Sequence, residues 1–415
     1  MSKIAVIGLG YIGLPTAAVL AARGHNVLGV DVSASVVNTL QNGGIHIVEP
    51  ELHIVVSGAI KSGELQVSTT AGKADAYILA VPTPFGDDHS PDLSYIRSAA
   101  GSIAPHLTAG NLVILESTSP VGATEKLSVW LSEQRPDLRL PHQYGDDCNI
   151  NVAHCPERVL PGNVLAELVQ NDRVIGGVSN ACTKAAIVLY KTFVQGKCLP
   201  TTAATAEMAK LTENAFRDVN IAFANELSIL AGEQNVDVWD LIELANHHPR
   251  VNILKPGPGV GGHCIAVDPW FLVAASPDNA KLIRQARLVN DSKPDYVIAQ
   301  VQAAIEGIDN PVVACLGLAF KPDIDDLRES PAIGICERLA SSGVSILAVE
   351  PHIDELPEAL ATYAKINLSD AQSAIASANV ILLLVDHSVF ADLPSKASFE
   401  GKKVIDTRGQ WRHRI

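Results

Sequence analysis

The chain opens on an apolar run, Lys3 to Gly8, which predicts a buried strand; a helix over Tyr11 to Arg23 and a second strand over Asn26 to Val32 complete a βαβ unit. Further strands are expected at Ala76–Val81, Leu112–Glu116 and Ile150–His154, each an apolar run bounded by turn residues and separated by enough chain for a crossover helix. Such runs describe a parallel sheet covered on both faces. From Thr205 to Glu233 the pattern becomes one long helix, free of Gly and Pro until Gly232. Its apolar residues, among them Leu211, Phe216, Val219, Phe223 and Leu230, wrap much of its circumference, which suits a connector enclosed by two domains or by a second subunit. Beyond Pro311 the alternation returns, with strands expected at Val312–Phe320, Ser345–Val349, Val380–Val385 and Val404–Asp406 and a helix at Ser330–Ser342.

At 415 residues the chain is long enough for two or three domains. Lys plus Arg number 31 against 45 Asp plus Glu, and a formal charge of -14 repels a phosphate backbone, so a general nucleic-acid binder is excluded. Ile4 to Ala22 carries no charge and superficially matches a signal peptide or a membrane span, but Gly8, Gly10, Gly13 and Pro15 fall inside it and no cleavage site follows. The seven cysteines (148, 155, 182, 198, 264, 315 and 336) are odd in number, scattered and without a CxxC pair. Neither a disulfide scaffold nor a cysteine-based metal site is expected, and a cytoplasmic chain with no membrane segment fits best.

Gly8-Leu9-Gly10-Tyr11-Ile12-Gly13 is a GxGxxG sequence between an expected strand and an expected helix. Gly8 permits a tight turn, Gly10 lets backbone approach a pyrophosphate, and Gly13 lets the helix pack on the sheet, whose first amides then face an anion. Asp31 ends the second strand, where a carboxylate accepts from both ribose hydroxyls and repels a 2′-phosphate. The fold class that results is α/β, with two Rossmann-like doubly wound domains joined by a long central helix and a helical region. The second domain lacks the glycine fingerprint: its first strand runs into Leu318-Ala319-Phe320-Lys321, so it holds its ligand differently.

Other candidates carry two readings each. Cys264 ends a loop with four glycines, Gly257 to Gly262, with Asp268 four residues on; it is either a small buried hydrophobe or an exposed nucleophile. Lys210 and Asn214 lie one turn apart on the long helix, on a solvated face or in a site that stabilises a negative oxygen. Thr118 and Glu157 follow the ends of expected strands, where ligands bind in such sheets, but a helix cap and a surface carboxylate would look the same. Val81-Pro82-Thr83-Pro84 lies at that edge as well, bordering a cofactor or forming a stiff loop. Lys321 and Arg328 bracket Asp323, Asp325 and Asp326 ahead of Ser330-Pro331; the two cations suit a diphosphate, or pair internally with those aspartates.

Together these motifs resemble the nucleotide-sugar 6-dehydrogenases, the family of UDP-glucose dehydrogenase. The resemblance covers essentially the whole chain through GLGYIG at 8–13, VPTP at 81–84, ESTSPVG at 116–122, HCPERVLPG at 154–162, EMAKLTENAFRDVNIAFANEL at 207–227, HHPRVNILKPGPGVGGHCIAVDPWF at 247–271 and GLAFKPDIDDLRESP at 317–331. It implies a four-electron oxidation of a sugar C6 alcohol to a carboxylate by two NAD, without a metal. Residues 1–200 would bind NAD, 201–305 would form a central helical domain with the dimerisation surface and catalytic loop, and 306–415 would bind the UDP-sugar. The family pattern makes Cys264 the nucleophile, passing through a thiohemiacetal and a thioester. It puts Lys210 and Asn214 at the oxyanion, Asp268 and Thr118 in proton transfer, and Glu157 in thioester hydrolysis. Cofactor contacts are implied at Gly8, Gly10, Tyr11, Ile12, Gly13, Asp31, Val81, Pro82, Thr83, Thr118 and Arg408. Substrate contacts are implied at Glu157, Arg158, Val159, Leu160, Lys210, Asn214, Arg217, His247, Gly259, Gly261, Phe320 and Lys321, with Arg250 reaching across a homodimer. Arg158-Val159, His263 and Ile265-Ala266-Val267 depart from the UDP-glucose branch and are similar to the N-acetylated-sugar branch, 266–271 most of all to members acting on UDP-N-acetylmannosamine. UDP-N-acetylglucosamine and UDP-glucose are the neighbouring alternatives. A two-electron hydroxyacid dehydrogenase would need no Cys264, and a regulatory protein would have no reason to keep Lys210, Asn214, Cys264 and Asp268 together.

Overall fold

The structure, a computed structural model of the chain, describes residues 2–47, 49–86, 88–159, 162–262 and 264–412. It divides into two compact units, Met1–Glu213 and Asn214–Ile415. The first is built on eight strands: β1 (Lys3–Ile7), β2 (Asn26–Val30), β3 (Leu65–Ser68), β4 (Ala76–Leu79), β5 (Leu112–Leu115), β6 (Asn151–His154), β7 (Arg173–Gly177) and β8 (Cys198–Thr202). Their order is β3-β2-β1-β4-β5-β6-β7-β8, parallel throughout except that β6 and β7 run antiparallel. The first six follow the doubly wound nucleotide-binding order.

Alternation along the central strands feeds two cores. Ile4, Val6, Ile78 and Ile114 pack with Leu14 and Leu20 of the helix Gly13–Ala22 on one face; Ala5, Tyr77, Leu79, Val113 and Leu115 pack with Ile96 and Leu127 on the other. The charge-free run from Ile4 to Ala22 is therefore a strand, a turn and a helix. No helix among the described residues is long and apolar enough to cross a membrane.

Most strands stop one or two residues before the apolar runs that foretell them: β1 at Ile7, β2 at Val30, β4 at Leu79 and β5 at Leu115. The chain leaves the sheet there to make the turns of its carboxyl edge, so the last apolar residues line loops. Likewise the first helix begins at Gly13 and not Tyr11, since residues 8–12 form the glycine turn. Strands β3, β7 and β8 were not expected. β3 is short and β8 half-exposed, while the buried β7 opens on an arginine and closes on two glycines.

The long helix spans Ala203–Glu233, beginning in the first unit and continuing into the second. It starts two residues before its apolar pattern because the Thr202 hydroxyl accepts from Thr205 N at 3.2 Å, satisfying an end amide. In the second unit the helix Lys281–Ile305 lies against it through buried polar pairs. Asp218 accepts from Arg287 at 2.6 Å and from Asn290 at 2.8 Å, and Asn225 donates to Asn290 at 2.9 Å.

The second unit's sheet has five parallel strands, β9 (Val312–Leu316), β10 (Ser345–Val349), β11 (Ile366–Leu368), β12 (Val380–Leu383) and β13 (Lys403–Asp406), in the order β11-β10-β9-β12-β13. Strand β9 ends four residues short of Phe320 because Gly317 turns the chain at φ +92° and donates to Val349 O at 2.8 Å. Gly8 does the same at φ +93° with Val30 O at 2.8 Å, so the second sheet keeps the first glycine of the fingerprint. Its helix starts as expected, with Ser330 accepting from Ala332 N and Pro331 in the first turn.

Candidate active site

At the carboxyl edge of the first sheet, Gly13 is forced: a Cβ there would stand 1.8 Å from Gly8 O. Gly10 is exposed, and a Cβ on it would meet nothing within 4 Å, which leaves backbone open to a ligand. The helix that starts at Gly13 has no side-chain cap at Ile12, so its positive end faces outward. Asp31 is pinned at the end of β2 by Leu9 N and Ser33 N, each at 2.9 Å, and Val32 beside it is 94% exposed.

Strands β4 and β5 are knitted together beyond their ends. Glu116 N donates to Leu79 O at 2.9 Å, and Ser117 Oγ donates to Val81 O at 2.6 Å. This brings Val81, Pro82, Thr83 and the half-buried Thr118 to the same edge as the glycine turn, where Gly8 closes on Ala80 and Val81. Tyr11 and Ile12 are half-buried there.

Glu157 is buried, not the surface carboxylate that its sequence allowed: Oε2 pairs with Arg173 at 2.6 Å and Oε1 accepts from Arg158 N at 2.6 Å. Arg158 spends its guanidinium on Glu213 at 2.8 Å and Asp172 O at 3.2 Å, Val159 packs against the core, and Leu160 lies outside the described residues. Glu207, three residues ahead of Lys210, is buried and caps the helix Ala123–Gln134 by accepting from Gly122 N at 2.6 Å and Thr124 N at 2.8 Å. Burial raises its pKa, opposed by those donors.

In the second unit Cys264 is half-buried, and its carbonyl accepts from Asp268 N at 2.8 Å, so the thiol sits on the turn that opens the helix Asp268–Ala275. A helix start favours negative charge on sulfur. Asp268 is buried and accepts a short hydrogen bond from Asn214 Nδ2. Lys210, Asn214 and Arg217 recur at helical spacing on one face of the long helix, Lys210 and Asn214 half-buried and Arg217 exposed.

The glycine loop before Cys264 packs tightly. A Cβ on Gly261 would lie 2.6 Å from Glu329 O, and one on Gly259 would lie 2.9 Å from Pro331. Phe320 lays its ring over Gly262, with Lys321 half-buried next to it. Gly257 N donates to Asn225 Oδ1 at 2.9 Å, which fixes the start of the loop. Arg408 stands against Gly257 and is tied to Asp386 at 2.8 Å. Arg328 pairs with Asp326 at 2.6 Å, within the acidic loop. His247 and Arg250 are exposed on a loop closed by Asn246, whose amide bonds Ile253 N at 2.7 Å and O at 3.0 Å.

Comparison with known proteins matches residues 2–194 to the NAD binding domain, 204–292 to the central domain and 314–413 to the UDP binding domain of the UDP-glucose/GDP-mannose dehydrogenase family. The chain belongs to that family. It is accordingly an NAD-dependent nucleotide-sugar oxidoreductase. It is 58% identical to the NDP-N-acetyl-D-galactosaminuronic acid dehydrogenase of Ralstonia nicotianae, over 98% of this chain and 96% of that one. Identity to the UDP-N-acetyl-D-mannosamine dehydrogenase of Salmonella typhi is 56%, over 99% of each. The solved UDP-N-acetyl-mannosamine dehydrogenase of Staphylococcus aureus superposes with a TM-score of 0.86 at 44% identity, covering 98% of this chain and 94% of that one. The family's cofactor fits the residues present: open backbone at Gly10, a bare helix start and a fixed carboxylate at Asp31 meet a pyrophosphate and a ribose diol.

Glu116, Arg173, Glu207 and Asn225 were not singled out by motif. Arg173 had a signal, a charge opening a strand that is otherwise apolar and glycine-rich; Glu207 had another, its place one turn before Lys210.

Proposed function

We propose that the chain oxidises the C6 hydroxyl of UDP-N-acetyl-D-mannosamine to the carboxylate, in two NAD-dependent steps with Cys264 as nucleophile, supplying an acidic sugar nucleotide for surface polysaccharide. The observation that carries this reading is the Cys264–Asp268–Asn214 arrangement. A thiol on a helix start has, four residues on, a buried carboxylate held by an amide that lies one turn from Lys210. NAD, held at Gly8 to Gly13 and Asp31, supplies the hydride acceptor for both oxidations.

Asp268 serves the first step by accepting the C6 hydroxyl proton through a water, with Thr118 assisting that transfer. Cys264 then adds to the aldehyde carbon, with the oxyanion stabilised by Lys210 and Asn214. Loss of the second hydride leaves a thioester on Cys264. Glu157 accepts a proton from the attacking water, the C–S bond breaks, and the thiolate returns. Phe320, Lys321 and the closely packed Gly259 and Gly261 hold the nucleotide half of the substrate. Arg217, His247 and Arg250 are exposed and complete the site across a cytoplasmic homodimer, Arg250 coming from the other copy. Arg408, against the start of the glycine loop, stands on the cofactor side. Residues 1–200, 201–305 and 306–415 divide these tasks among cofactor, catalytic loop and nucleotide.

The Ralstonia relative's name favours a second reading, the N-acetylgalactosamine epimer. The test is NADH formed per limiting sugar, for the wild type and Cys264→Ser, with the UDP forms of N-acetylmannosamine, N-acetylgalactosamine, N-acetylglucosamine and glucose. About two NADH per N-acetylmannosamine, with turnover lost in the mutant, is the expected result. One NADH per sugar would refute covalent catalysis, and preferred turnover of another epimer would replace the substrate alone.

A further inference from the structure

Glu116 is a buried carboxylate that the steps above leave unused. It ends the run that forms β5, two residues before Thr118. Its Oε1 accepts from the Tyr190 hydroxyl at 3.0 Å and its Oε2 from Thr16 Oγ1 at 3.2 Å, donors carried by the helices Asn180–Tyr190 and Gly13–Ala22. The charged and titratable groups facing it from the neighbouring elements are Glu157 and Cys155 beyond β6, Arg173 at the start of β7, and Tyr190. The Cys155 thiol and Tyr190 hydroxyl are uncharged, since burial drives both pKa values far up. The cluster therefore sets one guanidinium against two carboxylates in a volume closed to solvent. Arg173 gives NH1 to Glu157 at 2.6 Å and NH2 to Leu168 O at 2.9 Å, and its buried Nε–H makes no hydrogen bond among the described residues. Two buried carboxylates cannot both ionise cheaply against one cation.

We propose that Glu116 is a positioning residue for thioester hydrolysis, acting on Glu157 through the Arg173 that both carboxylates face. With Glu116 neutral, Arg173 belongs wholly to Glu157 and holds its carboxylate. With Glu116 ionised, the guanidinium's field is divided between two carboxylates, and Glu157 is released to take a proton from the water that attacks the Cys264 thioester. Burial, then the Glu157 charge, push the Glu116 pKa up to about 7, with Arg173 and the two hydroxyls pulling the other way. Its charge therefore changes within the working range of a cytoplasmic enzyme. The inference rests on the roles proposed above for Cys264 and Glu157.

The test is made on the full chain with NAD and UDP-N-acetylmannosamine, by rapid quench and intact-mass measurement of acyl-Cys264 from pH 6 to pH 8.5. In the wild type the decay of acyl-Cys264 is expected to accelerate through about pH 7, as Glu116 loses its proton. Glu116→Gln fixes the neutral state and keeps an acceptor for Tyr190. It is expected to form acyl-Cys264 within about twofold of the wild-type rate. Its decay should stay flat with pH, matching wild type at pH 6 and falling roughly tenfold behind at pH 8. Tyr190→Phe removes a donor that favours the ionised form, so its midpoint is expected to move to higher pH. An unchanged pH profile in Glu116→Gln, or an equal loss of acylation and deacylation, would overturn the proposal; so would a Tyr190→Phe midpoint that stays in place. Absence of acyl-Cys264 in the wild type would instead refute the covalent reading on which it rests.

Discussion

A methyl group on Gly13 has nowhere to go, while one on Gly10 meets only open space, and neither prediction depends on the rest of the fold. Gly13→Ala is expected to destabilise by about 3 kcal/mol or more, because backbone and not a movable side chain opposes the new Cβ. Gly10→Ala is expected to leave urea-denaturation stability within about 1 kcal/mol of wild type and to weaken NAD binding more than roughly tenfold by titration calorimetry. Equal losses of stability in the two variants would sink the distinction. These glycines were legible because their needs are local: a turn, a close approach, a helix packing on its own strand. Glu116 was not, since its hydroxyl partners come from positions 16 and 190 and its cation from position 173. Glu157 was legible as a residue at a strand end, but not as buried, for the same reason.

The elements found from apolar runs are chiefly those whose two faces are both covered, β1, β4, β5, β9 and β12; of those missed, β3, β8 and β11 are half-exposed edge strands with no run to read, and the buried β7 is masked by its opening arginine and closing glycines. The polar ladder between the central helix and Lys281–Ile305 was equally silent, because a buried Asn or Lys at helical spacing looks like a solvated face. Lys293 is its least favourable rung. Its ammonium bonds Ser228 Oγ and stands 4.7 Å from the centre of the Tyr296 ring, yet burial lowers its pKa to about 8. The folded state thus disfavours the charged form that an unfolded lysine keeps up to about pH 10.5. The penalty is complete below about pH 8 and fades as pH rises towards 10.5. Lys293→Met is accordingly expected to stabilise by roughly 2 kcal/mol at pH 7, less the lost hydrogen bond, and by much less at pH 10. Urea denaturation at the two pH values checks this; a variant that is less stable at pH 7, or equally stabilised at both, would contradict it.

At the scale of the whole chain, the two sheets share the strand order of a nucleotide-binding half and the same opening glycine, but spend the following carboxylate differently. Asp31 is left at the edge beside the exposed Val32, whereas the equivalent Glu350 accepts from Leu318 N at 2.7 Å, Ala319 N at 3.0 Å and buried His387 at 3.0 Å. Asp31 is thereby left to a ribose diol while Glu350 is spent inside the fold, so the second domain holds its ligand by other groups, as the letters LAFK in place of a fingerprint had suggested. The apolar girth of the central helix is explained in part by burial of Leu211, Ala215 and Ala222, but Phe216, Phe223 and Leu230 recur every seven residues and are 70%, 52% and 43% exposed. In the proposed homodimer such a heptad stripe would face the same stripe of a second copy packed antiparallel about a twofold axis. Phe223→Glu places a charge in the middle of it, and burying an unpaired carboxylate costs several kcal/mol, enough to move a dimer constant by a thousandfold or more. Sedimentation equilibrium at micromolar concentration is expected to find the variant monomeric with its unfolding midpoint little changed, since the side chain is half-exposed within one copy. Turnover should fall with it, because Arg250 would no longer reach the neighbouring site. A variant that stays dimeric would move the interface elsewhere, and a monomer with full turnover would return Arg250 to the surface of its own chain.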